Sequence, residues 1–276
     1  MQDKRVAVLV ANAHREPFLS IDRANIRKGR EILENFLFDV FYYEGRQIGR
    51  IEGKFRDNIE SIRYKKFWHV LKVYDSIVLN NRWRTIETAK LIPEQGKPNR
   101  LIAPSPEDLR HLAVKFYASL QYCIVENYDF VLRTTTNSLF NLRNIINHIE
   151  HSDTSKPLYM GRKLELSPRS PMVSGSFLLL NRVSMQVLRD NIPNHDHSVL
   201  DDVAIGKILG YEAQKLEPSF ANSIDFNSIE EVDSLRSEDF VRYTHYRCKT
   251  KVNPRNDNLV LKKLVSRLIE AGIRYI

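Results

Sequence analysis

A chain of 276 residues lies between one and two average domains of roughly 150 residues, and a single large α/β domain is equally allowed. Its 42% hydrophobic and 28% charged content excludes wholesale disorder, and ten glycines and eleven prolines exclude collagen-like and proline-rich classes. Two cysteines, Cys123 and Cys248, are too few for a disulfide framework or a four-cysteine zinc site. The net charge of +8 suits an anionic partner, whether nucleic acid, acidic lipid or a phosphorylated small molecule.

No stretch approaches the roughly 20 apolar residues of a membrane span, and the run Val6–Ala11 is shorter than the apolar core of a signal peptide. A cytoplasmic protein is the expectation. RNP, zinc-finger and Gly-Lys-Ser/Thr signatures are absent, so nucleic acid is not the expected partner. The charge also admits peripheral contact with an acidic membrane surface.

The first half alternates strand and helix signals. Val6–Ala11 reads as a strand buried on both faces. Ser20 would cap a helix through about Phe36, with Ile26, Ile32, Leu33 and Phe36 as its apolar stripe. Asp39–Tyr43 reads as the second strand, Asn58–Val73 as a helix, Ser76–Leu79 as the third strand and Arg100–Ala103 as the fourth. Pro106 suits a first helical position, followed by Leu109, Leu112, Ala113, Phe116 and Leu120 at helical spacing. Asp129–Arg133 is the fifth strand, and Leu139, Leu142, Ile145, Ile146 and Ile149 mark the next helix. This alternation predicts an α/β fold with a mostly parallel sheet and helices on both faces.

Ser152–Ser174, with Pro157, Pro168 and Pro171, breaks the rhythm as a loop or irregular hairpin. Gly175–Leu180 then reads as a strand, with helices at Arg182–Asp190 and Asp201–Leu209. Residues 221–240 are acidic and turn-rich. A basic strand is expected at 243–251, and a C-terminal helix from about Asn258 carries Leu259, Leu261, Leu264, Leu268 and Ile269.

Ligands in open α/β sheets bind beyond the carboxyl ends of the strands. Thr135, Thr136 and Asn137 fall at such an edge, although Asn137 or Ser138 could simply cap the following helix. Ser198 and Asp201 have capping-box spacing, and the helix dipole favours both Asp201 and Asp202. Asp202 lies one turn before Gly206, where the missing side chain leaves room for a substrate. In an extended segment, His245, Arg247, Lys249 and Lys251 share one face and could hold a diphosphate, or form a solvated edge that resists aggregation. His195-Asp196-His197 resembles a metal cluster but is better read as a surface loop. Trp68 and Trp83 are expected to pack helices.

Taken in order, these segments resemble nucleotide-sugar glycosyltransferases of the GT-A fold, especially the β-1,3-galactosyltransferase and Fringe-like group. That group's K-T-D-D-D-x-F-x-N-L is similar to Arg133-Thr134-Thr135-Thr136-Asn137-Ser138-Leu139-Phe140-Asn141-Leu142. Its S-G-x-x-Y-x-L-S resembles Ser174 to Asn181, and its E-D-V-x-x-G resembles Asp201 to Gly206. The likeness covers roughly residues 125–210. The N-terminal strands agree only in pattern.

The resemblance implies a single GT-A-like domain over residues 1–276, with a nucleotide-donor half to about 135 and an acceptor and catalytic half beyond it. It implies transfer, with inversion, from a nucleoside-diphosphate sugar, UDP-linked for preference, to a glycan or lipid-linked glycan acceptor in polysaccharide assembly. Asp202 would be the base, with Asp201 beside it. Ala11, Asn12 and Ala13 would touch the nucleoside, and Gly175 would admit the donor sugar. Arg133, Thr135, Thr136, Asn137, His245, Arg247 and Lys249 would complete the donor site. The family's acidic triplet, which binds a divalent metal, is here Thr135-Thr136-Asn137, so no metal is expected; Arg247 and Lys249 would neutralise the diphosphate instead. The alternatives are a catalytically inactive sugar- or nucleotide-binding domain, supported by the altered triplet, and a nucleic-acid-binding protein, supported by charge alone.

Overall fold

The side chains of Val6 to Val10 are all fully buried, as a β-branched run covered on both faces requires. They belong to β1 (Lys4–Ala11), at the centre of a mixed α/β fold with a large, mostly parallel central sheet. The computed structural model describes residues 3–12, 17–24, 26–46, 82–107, 111–164, 172–197, 199–212, 218–251 and 255–276. The expected helix Asn58–Val73, the strand Ser76–Leu79, and Trp68, Leu109, Pro168 and Pro171 lie outside them.

β1 pairs in parallel with β3 (Phe36–Arg46) on one side and β6 (Phe130–Thr135) on the other. Beyond β3 lies β5 (Asn99–Pro106), also parallel. The flanks add antiparallel strands: β2 (Arg30–Leu33) on β3, β4 (Lys90–Ile92) on β5, and β9 (Met172–Asn181) on β6. Outermost are β8 (Tyr159–Leu164), antiparallel to β9, and the two-residue β10 (Ser219–Phe220), parallel to β8.

Alternation along β1 splits the core. Ala7 and Leu9 face α2 (Leu112–Val125) and α4 (Arg182–Asp190) through Phe116, Leu120, Met185 and Leu188. Val6, Val8 and Val10 face α3 (Leu142–Glu150) through Ile145, Ile146 and Ile149. Each such large apolar side chain contributes roughly 1.5–3 kcal/mol on burial.

A second, three-stranded sheet grows from the end of β6. β7 (Ser138–Phe140) pairs antiparallel with β12 (His245–Cys248), which pairs in parallel with β11 (Ser223–Phe226). Phe226 and Tyr246 pack there against α6 (Ile229–Ser234), α7 (Ser237–Phe240) and α8 (Asp257–Glu270). Because two residues separate β6 from β7, this sheet holds its basic strand at the carboxyl end of β6.

Several local expectations are corrected. No helix runs from Ser20 to Phe36: α1 spans only Phe18–Arg23, Ile32 and Leu33 lie in β2, and Phe36 opens β3. Glu34, at φ 57°, turns a tight hairpin between Leu33 and Phe36, and Ile32 is exposed. Pro106 ends β5 instead of starting a helix, and α2 begins at Leu112. Leu139 lies in β7; Asn141, and not Asn137 or Ser138, caps α3. Of the expected C-terminal stripe, Leu259 and Ile269 are exposed. The α5 helix (Asp201–Gly206) gives way at Lys207 to wider turns that run to Glu212, where one continuous helix to Leu209 was expected.

The Asn141 side-chain oxygen accepts from the amides of Arg143 (3.1 Å) and Asn144 (3.4 Å). Asn141→Ala is therefore expected to lower stability by about 1 kcal/mol in urea unfolding; an unchanged midpoint would show that the cap contributes nothing.

Candidate active site

The chain builds β1, β3 and β5 outward in one direction, then returns to place β6 on the other side of β1. The carboxyl ends of β1 and β6 thus flank the point where strand order reverses, the customary ligand crevice of open α/β sheets. Ala11 and Thr135 are register partners at that end. Asn12 follows, buried, its amide donating to Glu44 Oε2 at 3.2 Å while its own oxygen has no partner among the described residues. Ala13 lies outside the described residues.

Arg133 sits two residues before the end of β6 with 2% of its side chain exposed. Its Nε donates to the Tyr43 hydroxyl at 3.0 Å, its Nη2 donates to Asp201 Oδ2, and its guanidinium lies 4.7 Å from the Phe116 ring centroid. Burial opposes the charge, but Asp201, Tyr43 and Asp202 outweigh it and raise the Arg133 pKa. Burial pushes the Tyr43 hydroxyl up to about 12, so it stays protonated as a donor and acceptor. Arg133 is therefore an internal strut, and its expected place among donor-binding side chains is corrected. Asp201 is this strut's counter-ion as well as a helix-start carboxylate.

Asp202 is the next residue, about 100° further round α5. Its Oδ1 lies 3.7 Å from Arg133 Nη1, a nitrogen with no hydrogen-bond partner among the described residues, and the Gly175 amide donates to its carboxylate. Burial, then the charge of Asp201, push the Asp202 pKa up to about 6, against the pull of Arg133, the Gly175 amide and Arg247. Gly175 is required here: a Cβ would stand 2.4 Å from Asp202 Oδ1 and 3.0 Å from Arg133 Cζ. Ser198, the other half of the expected capping box, lies outside the described residues, and Leu200 at the N-cap position offers no side-chain bond.

Arg247 on β12 lies within electrostatic reach of Asp202. Burial lowers its pKa, and Arg162 and Arg255 nearby lower it further. Lys249 is lowered first by Arg247 and then by burial. Neither Arg247 nor Lys249 has a salt bridge among the described residues. Cations held this close to one another make a positive potential that favours a nearby anion. Arg162 and Arg255 carried no signal in the sequence. Arg162 lies in the segment read as a loop or irregular hairpin, which is an antiparallel β8–β9 pair with a register shift, and Arg255 is an isolated charge whose neighbours are set by distant parts of the chain.

His245 does not join that cluster. Its ring is fully buried, 5.1 Å from Phe140 and 5.4 Å from Phe177, and burial followed by the charges of Arg162 and Arg247 lowers its pKa well below the usual value. The alternation of the strand holds, with Tyr246 and Cys248 on the opposite side in the core, but His245 is covered by Phe140 and Phe177 and is not available to a ligand. The triplet turn is likewise locked. Asn137 donates to the Cys248 carbonyl (2.7 Å) and Asp257 Oδ2 (3.2 Å), and its oxygen accepts from Thr135 Oγ1 (2.8 Å). Arg27, buried, holds the carbonyls of Thr136 (2.7 Å) and Ser138 from behind. The Thr136 side chain is fully buried, so of the three only Thr135 remains partly accessible. This donor set does not fit a divalent ion: it holds no carboxylate, and its one amide oxygen is already taken. Among the described residues no group of three His, Cys, Asp or Glu is arranged to hold a metal ion.

The histidine pair is also corrected: His195 and His197 are buried, not a surface loop. His195 Nδ1 lies 3.0 Å from the Tyr117 hydroxyl. Burial first, and their neighbouring histidines next, lower His195 to about 3 and His197 to about 4. Trp83, as expected, packs in the core, edge-on to His111. Both cysteines are free and buried, and no helix among the described residues is long and apolar enough to cross a membrane.

In comparison with known proteins, the chain matches no family model and no curated sequence.

An acid whose pKa is raised in the folded state binds a proton more tightly there, so stability falls as pH rises from about 4 through 6. Ionised Asp202 is then a net cost at pH 7. Asp202→Asn is expected to stabilise the fold at pH 7 by on the order of 2 kcal/mol, with the gap closing by pH 4. Urea unfolding at the two pH values checks this; a less stable variant at pH 7 would mean that pairing with Arg133 outweighs burial.

Proposed function

We propose that this chain is a glycosyltransferase that moves a sugar from a nucleoside-diphosphate sugar to a hydroxyl of a glycan or lipid-linked glycan, with inversion and without a metal ion. The observation that carries the reading is Asp202, a carboxylate raised toward neutrality, within electrostatic reach of Arg247, a cation with Lys249 beside it and with no ion-pair partner among the described residues. A base needs a pKa near the working pH, and a departing diphosphate needs positive charge where its own charge grows.

Asp202 accepts the proton of the acceptor hydroxyl as that oxygen attacks the anomeric carbon. The new C–O bond forms on the face opposite the leaving group. The bond to the β-phosphate oxygen breaks with its electron pair, and Arg247 and Lys249 balance the released charge. Gly175 holds the Asp202 carboxylate through its amide, and the space that a side chain there would fill is taken by Asp202 and Arg133 and not left for the donor sugar; Ala11 and Asn12 lie at the strand end where a nucleoside would sit. The preference for UDP rests on the likeness of Arg133–Leu142, Ser174–Asn181 and Asp201–Gly206 to the GT-A group. The inactive-domain alternative draws on the locked triplet turn, and would appear as nucleotide binding without hydrolysis across a panel of nucleotide sugars.

In a nucleotide-sugar hydrolysis assay, kcat/KM is expected to climb with pH up to about 6 and then level off as Asp202 ionises. Asp202→Asn should lower turnover by about 100-fold or more while nucleoside-diphosphate binding persists. A variant retaining a tenth of the activity would remove Asp202 from the base role.

Activity is expected to survive EDTA, because neutral oxygens already committed to the turn cannot replace the carboxylate that Mg²⁺ usually requires. Complete loss in chelator, restored by Mn²⁺ or Mg²⁺, would place an acidic ligand elsewhere in the chain.

A further inference from the structure

The cation cluster contains one carboxylate, and its position is informative. Asp225 on β11 stands in register with Arg247 on β12, yet it is gripped from the other side by Arg162 of β8. Arg162 Nη1 meets Asp225 Oδ1 at 2.5 Å and Nη2 meets Oδ2 at 2.8 Å, the two-pronged geometry that a guanidinium also offers to phosphate. We propose that Arg162 is a third ligand of the diphosphate, and that Asp225 is an internal anion that occupies Arg162 until the diphosphate displaces it. The inference rests on the anion-site part of the function proposed above.

Three observations carry it. First, Arg162 is aimed by backbone and not by chance. The pairing register of β8 with β9 shifts between Gly161 and Lys163, and such irregularities re-aim the side chain they contain. Gly161 can be nothing larger, since a Cβ would lie 2.0 Å from the Phe177 carbonyl oxygen. Second, the pair is open to exchange: the Arg162 and Asp225 side chains are 26% and 33% exposed. A pair this exposed contributes little to stability, about 0–1 kcal/mol, so holding the fold together does not account for its geometry. Third, the charges remain out of balance around it. Asp225 faces Arg162, Arg247 and Lys249 at once, and the buried Nε of Arg247 has no hydrogen-bond partner among the described residues. Arg255, the fourth cation, is already held by Asp257.

With the site empty, Asp225 keeps three mutually repelling cations ordered. A diphosphate brings more charge and more acceptor oxygens than one carboxylate, and its approach repels Asp225 from Arg162. The exchange breaks one ion pair and forms several, so Asp225 sets the affinity for the anion downward and eases its release after transfer.

The test measures binding of inorganic pyrophosphate by calorimetry on the full chain. Asp225→Asn is expected to bind pyrophosphate about tenfold more tightly, and Arg162→Gln about tenfold more weakly, each roughly 1.4 kcal/mol. Combining the two should erase the gain from Asp225→Asn. Unchanged or weaker binding by a folded Asp225→Asn variant overturns the proposal, as does a double variant that binds as tightly as Asp225→Asn alone, or a wild-type protein that does not bind pyrophosphate. If Asp225→Asn melts well below the wild type, Arg162→Lys is read instead. It keeps the charge but loses the fork, so weaker binding is expected and undiminished affinity overturns the proposal. Pyrophosphate binding with this dependence but no turnover of any nucleotide sugar would leave the anion site standing and remove the glycosyltransferase reading. Intact turnover with pyrophosphate affinity indifferent to Asp225 would do the reverse.

Discussion

The guanidinium of Arg133 joins four elements of the fold at one point: β6 carries it, Tyr43 at the end of β3 accepts its Nε proton, Phe116 of α2 lies under its plane, and Asp201 of α5 neutralises it. A charge buried this deeply is tolerable only when paired and hydrogen-bonded, and stranding one member of such a pair typically costs about 3–5 kcal/mol. That penalty fixes where α5 begins. With only six residues and no side-chain cap, α5 has little intrinsic reason to start at Asp201. The ion pair supplies the reason, and Asp202 inherits its place as the next residue round the turn.

From that placement follows the unequal treatment of two adjacent carboxylates. Asp201 takes a direct bond from Arg133, whereas Asp202 stands 3.7 Å from Nη1 and receives the Gly175 amide. Burial therefore dominates at Asp202, and the negative charge of Asp201 adds to it. Paired groups whose environments differ in this way are the usual means of assigning separate chemical roles within one site. A side chain at position 175 would collide with both the carboxylate and the guanidinium, so the glycine belongs to the same construction as the ion pair.

Much of the fold was legible because local pattern and tertiary structure agree. The buried run in β1, the helix Arg182–Asp190 and the strand ending near Arg133 all report burial through periodicity alone. The errors arise where partners are distant. Ile32 and Phe36 happen to fall at helical spacing, but a two-residue turn at Glu34 converts that stretch into a hairpin. His245 shares strand parity with Arg247 but lies against Phe140 and Phe177, residues more than sixty positions away. The ordered series Gly175, Asp201, Asp202, Arg247 and Lys249 was visible as residue types suited to one chemistry. That Arg133 serves inside the protein, and that Arg162 pairs with Asp225 beside Arg247, depended on contacts no local pattern encodes.

The basic excess of the chain, +8, gains meaning only when its cations are sorted by what they touch. Arg100 is surrounded by Asp22, Glu44 and Glu94; Arg133 is spent on Asp201; Arg27 is spent on backbone carbonyls. These positive charges are structural, and their fields are largely cancelled within a few ångströms. Arg247 and Lys249 are different in kind, because neighbouring cations lower the affinity of each for its proton and neither has a carboxylate in salt-bridge range among the described residues. Uncompensated repulsion of that sort is tolerated in a folded protein where a ligand relieves it. The distinction between a cation that holds the fold and one left without a counter-ion therefore lies in the partner and not in the residue type, and it is this local imbalance near Asp202, more than the net charge, on which the proposed anion site rests.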